Sequence, residues 1–394
     1  TEQRNFEAVL DMMADKRIDV GPLISHRFTL DRVSEAYTVV GGSEPSLGIV
    51  LEYPASSEVE GTTRESRVTL PELGRTTSAS GVSLAFVGAG NYATAILIPA
   101  FKEAGANLDT VVSSGGVSAV HAGRKFGFRQ ATTDADAVFS DPAINAVVVT
   151  TRHDSHARFV VQALESGRHV FVEKPLCVTL DELAEIAAAY EAQVSLGAAP
   201  VVAVGFNRRF SPHAQRAKEL LAAVPGPKVL LMTVNAGAIP AEHWTQDPAV
   251  GGGRILGEAC HFIDLLRFLT GSPITSSSAV AMTGGARDTV TMQLSFADGS
   301  IGTIHYLANG SKAFPKERLE VFAQGRVLQL DNFRALRGFG WPGFSSQRLW
   351  RQDKGQRACA AAFVEAIRDP GKRPVPFEEV LEVSRVAIEV AGRV

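Results

Sequence analysis

Cysteine is scarce in this chain. Three cysteines, Cys177, Cys260 and Cys359, occur among 394 residues, and they are far apart and odd in number. Such a set fits neither a disulfide framework nor a zinc cluster. We therefore expect reduced thiols, no metal site and a cytoplasmic protein.

An excess of one charge and long apolar runs are also lacking. The chain has 39 basic and 42 acidic residues, a formal net charge of −3 and no long basic run. This balance argues against a nucleic-acid-binding surface. The longest apolar runs are broken by glycine, proline or charge before they reach the length of a membrane span. The first residues, TEQRNFEAVLDMM, are charged and amphipathic, unlike a signal peptide. Neither nucleic acid nor a membrane is an expected partner.

The length of the chain predicts two or three domains. Residues 1–54 have the pattern of two helices and a strand, a piece too small to bury a core by itself. Residues 55–80 are rich in Ser, Thr and Gly and predict a linker. We expect a dinucleotide-binding domain over residues 81–206 and a substrate and oligomerisation domain over residues 207–394.

A strand, a glycine turn and a helix follow one another from residue 82. The apolar run VSLAFV predicts a buried strand, and the turn that follows it reads Gly88-Ala89-Gly90-Asn91-Tyr92-Ala93. Gly88 permits a tight turn, and Gly90 lets the backbone approach a pyrophosphate. Ala93 allows the helix to pack closely on the strand. This order favours dinucleotide binding over a purely structural turn.

The second strand of this unit ends in two serines rather than an acid. An NAD-preferring site usually places Asp or Glu there to bind the ribose 2′-hydroxyl. Here the strand ends in Ser113 and Ser114, and the nearby Asp109 lies too early in the strand. Serines can bond a 2′-phosphate, and Arg124 and Lys125 could supply charge. The pattern therefore favours NADP slightly over NAD, unless the serines only form the loop.

Polar side chains also follow two later strands. Thr151, His153 and His156 come after the run AVVVT, and Glu173 and Lys174 come directly after the run HVFV. The alternation of strands and helices predicts an α/β fold with a Rossmann-type doubly wound parallel sheet. Ligands bind such sheets in the crevice beyond the carboxyl ends of the strands. Lys174 is therefore well placed for chemistry, whereas His156 could equally be a structural residue at a helix start.

The C-terminal part has a different pattern, with longer alternating strands and hairpin turns. It predicts an α+β domain with a large, open and mainly antiparallel sheet. In the helix ahead of most of these strands, Arg254, Glu258 and His261 are spaced i, i+4, i+7 and share one face. They form either a core ion pair with a buried histidine or, if they face Lys174, a proton-transfer set. Arg208, at a strand end, is either a ligand contact or a structural ion-pair partner.

Several of these motifs together resemble the Gfo/Idh/MocA family over about residues 82–394. They are the glycine turn, EKP, GFNRRFSP and the helix containing HFID. Within residues 1–54, DKRIDVGPLISHRF and LGIVLEYP resemble the C-terminal tail of medium-chain, zinc-type alcohol dehydrogenases. The combination looks like a branch in which such a module precedes a Gfo/Idh/MocA module.

The resemblance implies hydride transfer between NAD(P) and a small-molecule sugar, sugar nucleotide or cyclitol. It also implies a homodimer or homotetramer formed through the C-terminal sheet. Lys174 and His261 match the catalytic lysine and histidine of the family. Many members have an aspartate one turn before this histidine, but this chain has Gly257 there, with Glu258 beside it. Glu258 is the candidate that could replace the aspartate and orient His261.

The predicted site has two parts. The cofactor-binding residues are Gly88, Ala89, Gly90, Asn91, Tyr92, Ser113, Ser114, Thr151, His153, His156, Glu173 and Lys174. The substrate-binding residues are Lys174, Arg208, Arg254 and His261. Two other functions stay open. One is a catalytically silent protein that senses a dinucleotide or sugar, and the other is an NAD-assisted glycosidase or epimerase with transient oxidation.

Overall fold

The computed structural model describes residues 2–29, 32–42, 44–53, 66–71, 81–198, 200–283, 288–369 and 371–394. The chain is divided into two compact units, Thr1–Glu65 and Ser66–Val394. Most of the predicted linker, residues 55–80, lies outside the described residues.

The first unit is small. Its elements are α1 (Glu2–Ala14), β1 (Ile24–Thr29), α2 (Val33–Gly41) and β2 (Gly48–Glu52), and β1 pairs with β2 in parallel. Among its described residues, the buried apolar side chains are those of Phe28 and Ala36, whereas Phe6 and Tyr37 are each 72% exposed. A piece of this size buries too little apolar surface to form an ordinary core.

The second unit begins with alternating strands and helices. In chain order these are β3 (Arg67–Thr69), β4 (Ser83–Val87), α3 (Ile98–Glu103), β5 (Asn107–Val112), α4 (Val117–Phe126), β6 (Gln130–Thr132), α5 (Asp136–Ser140), β7 (Ala146–Val149), α6 (His156–Glu165), β8 (His169–Val172), α7 (Leu180–Ser195) and β9 (Val202–Val204). A π-helical segment, Ala93–Leu97, precedes α3.

These strands form one seven-stranded sheet in the order β3-β6-β5-β4-β7-β8-β9. The pairs from β6 to β9 are parallel, and β3 is an antiparallel edge strand. The chain leaves β4 towards β5 on one side and later returns to β7 on the other, so the crevice for a ligand lies beyond the carboxyl end of β4. Strand β3 comes from the segment predicted as a linker, so residues 67–69 are part of the sheet rather than free chain.

The remaining chain builds a second sheet and its covering helices. These elements are α8 (Pro212–Ala222), β10 (Val229–Asn235), α9 (Cys260–Thr270), β11 (Ile274–Ala281), β12 (Val290–Phe296), β13 (Ile301–Leu307), β14 (Glu317–Ala323), β15 (Arg326–Asp331), β16 (Ala335–Phe339), β17 (Ser346–Arg348), α10 (Gln356–Arg368) and α11 (Phe377–Ala391). The sheet order is β11-β12-β13-β10-β14-β15-β16-β17, and its pairs are antiparallel apart from β10 with β13.

Helix α10 returns to the first sheet. The ring of its Phe363 packs edge-on against Phe101 and Phe171, with centroids 6.0 and 5.7 Å apart. The C-terminal chain therefore completes the core on one face of the Rossmann sheet. The predicted fold class, a Rossmann-type parallel sheet followed by a domain with a mainly antiparallel sheet, is confirmed.

Candidate active site

The glycine turn after β4 has the geometry that a close ligand approach requires. Gly88 has φ +111°, and a Cβ atom there would lie 2.7 Å from the carbonyl oxygen of Thr150. A side chain at Gly88 is therefore excluded by the next strand of the sheet. A Cβ atom at Gly90, in contrast, would meet no described atom within 4 Å. Backbone amides at Gly90 can thus be approached directly, and the turn fits a dinucleotide pyrophosphate.

The loop after β5 is neutral where it meets the cavity. The hydroxyl groups of Ser113 and Ser118 bond each other at 2.6 Å. The carboxylate of Asp109 accepts two hydrogen bonds from Arg129, of 2.7 and 2.9 Å, and is therefore part of an ion pair. Arg124 and Lys125 are not among the described residues that line the cavity. The structure thus gives no contact by which Arg124 or Lys125 would supply charge to the cavity wall at Ser113.

Two histidines join the loop after β7 to other parts of the chain. His156 is fully buried, with Nδ1 2.7 Å from the Pro175 carbonyl and Nε2 3.2 Å from the Thr151 carbonyl. His153 donates from Nδ1 to the Gly251 carbonyl at 2.7 Å. Burial, with smaller effects from Lys174 and His156, lowers the pKa of His153 to about 3. Both rings therefore bond carbonyl groups of neighbouring loops, and a cofactor contact of His156 stays a prediction.

Lys174 follows β8 directly and lines the cavity. A capping box formed by Thr179 and Glu182 starts α7 five residues later, so the lysine stays on an extended loop. Its Nζ atom donates to the Gly257 carbonyl at 2.6 Å. A Cβ atom at Gly257 would lie 2.9 Å from Cε1 of His153. The absence of an aspartate at position 257 therefore has a steric cause, because the ring of His153 fills that space.

Glu173 is an acid in the same cavity. A Cβ atom at Gly205 would lie 2.5 Å from Oε1 of Glu173, so the glycine makes room for the carboxylate. Burial raises the pKa of Glu173 to about 7, although Lys174 and Arg208 act in the opposite direction. Burial and Glu173 also raise the pKa of Tyr92.

Glu258 is bound to partners other than His261. Its carboxylate accepts hydrogen bonds from Lys316 and Tyr306 at 2.5 Å each and from Arg254 at 3.3 Å. Burial alone would raise the pKa of Glu258, but Lys316, Tyr306 and Arg254 outweigh it and hold the pKa at about 2. The predicted pairing of Arg254 with Glu258 is thus present. None of these contacts joins Glu258 to His261, so the hypothesis that Glu258 orients His261 has no hydrogen bond to support it.

His261 is a buried and electrically neutral base. It is 4% exposed, and its Nδ1 atom has no hydrogen-bond partner among the described residues. Burial lowers the pKa of His261 well below its usual value, and Arg208, Lys174, Lys354 and Lys316 lower it further. The imidazole is therefore unprotonated at neutral pH and can accept a proton.

Arg208 takes part in a second charged cluster. It donates to Asn207 at 3.0 Å and to Glu317 at 3.1 Å, and Lys354 donates to the same Glu317 oxygen at 2.8 Å. Arg208 is therefore an ion-pair partner that also faces the cavity.

All the predicted site residues line one cavity of about 1590 Å³. The dinucleotide turn is at one end, and Lys174, Glu258 and His261 are at the other. The roles assigned to the individual residues stay predictions. Sequence reasoning did not find five residues that complete the second end: Trp244, Tyr306, Lys316, Glu317 and Lys354. The one local signal was the charged pair Lys316-Glu317 directly ahead of an alternating strand.

Neither a membrane span nor a metal cluster is found in the described part of the chain. None of its helices is both long enough and apolar enough to cross a bilayer. No group of three or more His, Cys, Asp or Glu side chains in the same part could hold a metal ion.

Family models of two domains match the chain. The model described as an oxidoreductase family with an NAD-binding Rossmann fold matches residues 82–197, and the GFO/IDH/MocA C-terminal domain matches residues 215–329. Together the matches span more than half of the chain, in the order and at the places of the two sheets. The chain belongs to the GFO/IDH/MocA oxidoreductase family, as the motifs predict.

Curated relatives cover part of this chain. A scyllo-inositol 2-dehydrogenase (NAD(+)) from Bacillus subtilis is 34% identical over 158 residues, which are 39% of this chain and 44% of the relative. A myo-inositol 2-dehydrogenase from Thermotoga maritima is 27% identical over 221 residues, 53% of this chain and 63% of the relative. The chain thus spans roughly half the length of these relatives. A levoglucosan dehydrogenase solved with NADH and levoglucosan has the same fold, with a TM-score of 0.69 and 21% identity, over 79% of this chain and 96% of that one.

Proposed function

We propose that the chain is an NAD(P)-dependent dehydrogenase that acts on a CH–OH group of a sugar or cyclitol. One observation carries the proposal: a lysine and a neutral, buried histidine share a cavity with a glycine turn that fits a dinucleotide. The inositol and levoglucosan dehydrogenases among the similar proteins support a polyhydroxylated substrate.

The chain's own residues supply the proton chemistry. His261 accepts the proton of the substrate hydroxyl as the C–H hydrogen leaves with its electron pair. Lys174, positioned by the Gly257 carbonyl, stabilises the oxygen as the carbonyl group forms. A positioned base contributes about two to four powers of ten in rate. The Gly88–Ala93 turn would hold NAD(P), which would accept the hydride when bound.

Purified protein titrated with NADH and NADPH, followed by fluorescence, tests the first part of this proposal. Reduction of NAD or NADP in the presence of inositols or aldoses tests the second part, the oxidation of a CH–OH group. Binding of one nucleotide with reduction of its oxidised form would support the dehydrogenase. Binding without reduction would favour the silent sensor or the transient-oxidation enzyme. Absence of nucleotide binding would reject the dehydrogenase, the transient-oxidation enzyme and a sensor of dinucleotides.

Four finer proposals accompany this function. The choice of NADP over NAD stays a prediction from Ser113 and Ser114, for which the same titration is the test. Likewise, the resemblance of residues 1–54 to an alcohol dehydrogenase tail, and a cytoplasmic location, stay predictions. Oligomerisation through the C-terminal sheet is supported by Val229, Ile301 and Phe322, which lie side by side on neighbouring strands and are 37–52% exposed. Light scattering of a Phe322→Glu variant, compared with the unmodified chain, tests that contact.

A further inference from the structure

Two charged triads flank His261. In the first triad, Glu258 is shared by Arg254 and Lys316. The second triad has the same plan, with one carboxylate between an arginine and a lysine: Arg208, Glu317 and Lys354. Lys316 and Glu317 are consecutive at the start of β14, so one strand end supplies a member to each triad.

The triads leave positive charge uncompensated. Each has two cations and one carboxylate, so each carries one surplus positive charge. Lys174 adds a third, because its Nζ atom bonds a backbone carbonyl. Glu173, with a pKa raised by burial to about 7, balances only part of this excess near neutral pH. Buried charge without a counterion is unfavourable, so this end of the cavity favours an anion.

Among the four cations of the triads, Lys316 has the most exposed side chain. Its side chain is 40% exposed, whereas those of Arg254, Arg208 and Lys354 are 7, 10 and 16% exposed. Arg254 is further fixed by a 2.6 Å hydrogen bond to the Gly237 carbonyl. An ammonium group has three donors, so Lys316 can keep its bond to Glu258 and bind a second acceptor.

We propose that the substrate carries a carboxylate or phosphate group and that Lys316 binds it. This inference deepens the proposed dehydrogenase function and rests on it. A bound anion beside the two triads would also offset the four cations that surround His261 and would stabilise its protonated form during the reaction.

Matched probes test the proposal on the NADH-saturated protein. The probes are D-glucose, D-glucuronate and D-glucose 6-phosphate, with thermal shift and isothermal titration as readouts. We expect one of the two anions to bind at least about tenfold more tightly than glucose, as a charge-assisted hydrogen bond implies. The anion that binds more tightly than glucose identifies whether a carboxylate or a phosphate group is recognised.

The Lys316→Met variant should lose this preference by about tenfold or more. Lys372→Met is the matched control, because Lys372 is an exposed lysine paired with Glu365 and does not line the cavity. The affinity for NADH should be the same in both variants, which shows that the fold is intact.

Equal binding of the three probes, including binding of none of them, would overturn the anion proposal. A preference unchanged by Lys316→Met would overturn the role of Lys316. These failures are distinct from failure of the proposed function. Oxidation of a neutral sugar or cyclitol without any preference for anions would leave the dehydrogenase in place, whereas failure to bind NADH would remove it.

Discussion

The two ends of the cavity are lined by different kinds of chemical group. At the dinucleotide end, backbone and small side chains form the surface, with Gly90 open to the ligand and Ser113 bonded to Ser118. At the other end, ionised side chains form two triads near His261. The first end recognises a ligand by shape and backbone donors. The second is arranged to handle charge and protons.

The largest expected effect concerns the charged end. Replacing Lys174 with methionine removes the cation beside the reacting oxygen while keeping the length of the side chain. We expect kcat to fall about a thousandfold, within the range that a positioned proton-transfer or electrostatic group supplies. NADH affinity, measured by fluorescence, should fall by no more than about tenfold, which corresponds to the loss of one charge-assisted hydrogen bond. Turnover within about threefold of the unmodified chain would contradict the assignment.

The second prediction concerns NADH binding at the dinucleotide end of the cavity. Gly90→Val places a side chain where the cofactor would approach the backbone of the turn. A Cβ atom at this position meets no described protein atom within 4 Å. Loss of about two charge-assisted hydrogen bonds should weaken NADH binding about a hundredfold. The melting temperature should stay close to that of the unmodified chain.

Gly392→Ala is the matched glycine control for Gly90→Val. A Cβ atom there makes an ordinary 3.5 Å contact with the Ile388 carbonyl, far from the glycine turn in sequence. NADH binding by Gly90→Val that equals binding by this control would show that the turn is structural.

The difference between the two ends explains what the sequence could predict. The dinucleotide end is local, since Gly88, Gly90 and Ala93 lie within one strand–turn–helix unit. Its hydrophobic strands and its glycine spacing are therefore visible in the sequence. Lys174 was also predictable, because its position at a strand end follows from the same alternation of strands and helices.

The charged end is assembled from distant parts of the chain. Glu258 meets Tyr306 and Lys316, and Arg208 meets Glu317 more than a hundred residues away. No periodicity in the sequence links such residues. The spacing of Arg254, Glu258 and His261 did predict one ion pair, but it could not show that Tyr306 and Lys316 also bind the carboxylate of Glu258. A carboxylate's partner depends on tertiary packing, which spacing alone does not determine.

A third prediction concerns the contact that excludes a side chain at position 257. Gly257→Ala would place its methyl group 2.9 Å from the His153 ring, so either the ring or the helix must move. We expect a loss of about 1–3 kcal/mol in the free energy of unfolding, as in other overpacked sites. Urea unfolding measures this loss. Catalysis should also decrease, because the Gly257 carbonyl positions Lys174.

A double-mutant cycle identifies the cause of that loss. In a His153→Ala background the added methyl group has room, so Gly257→Ala should be less destabilising by about 1 kcal/mol or more. An equal loss in both backgrounds would mean that the glycine is needed for the backbone of the helix and not for the ring of His153.

The smallest expected effect is a pH dependence of folding stability that arises from His153. Above pH 6.5, the His153 imidazole is neutral in both the folded and the unfolded chain, so it adds no pH dependence. Below pH 6.5 the unfolded chain binds a proton there, whereas the folded chain does not until about pH 3. Folding stability should therefore decrease as the pH falls through this window, by up to about 1.4 kcal/mol per pH unit from this group.

Urea unfolding at pH 7, 6 and 5 measures that slope. The His153→Gln variant should show a smaller loss of stability between pH 7 and 5 than the unmodified chain, because glutamine does not titrate. His121→Gln, at an exposed position on the dinucleotide side, is the control. If the pH dependence of His153→Gln matches that of the unmodified chain, the ring of His153 is not kept neutral by burial. The packing of His153 against Gly257 and Trp244 would then be looser than its 2.7 Å bond to Gly251 indicates.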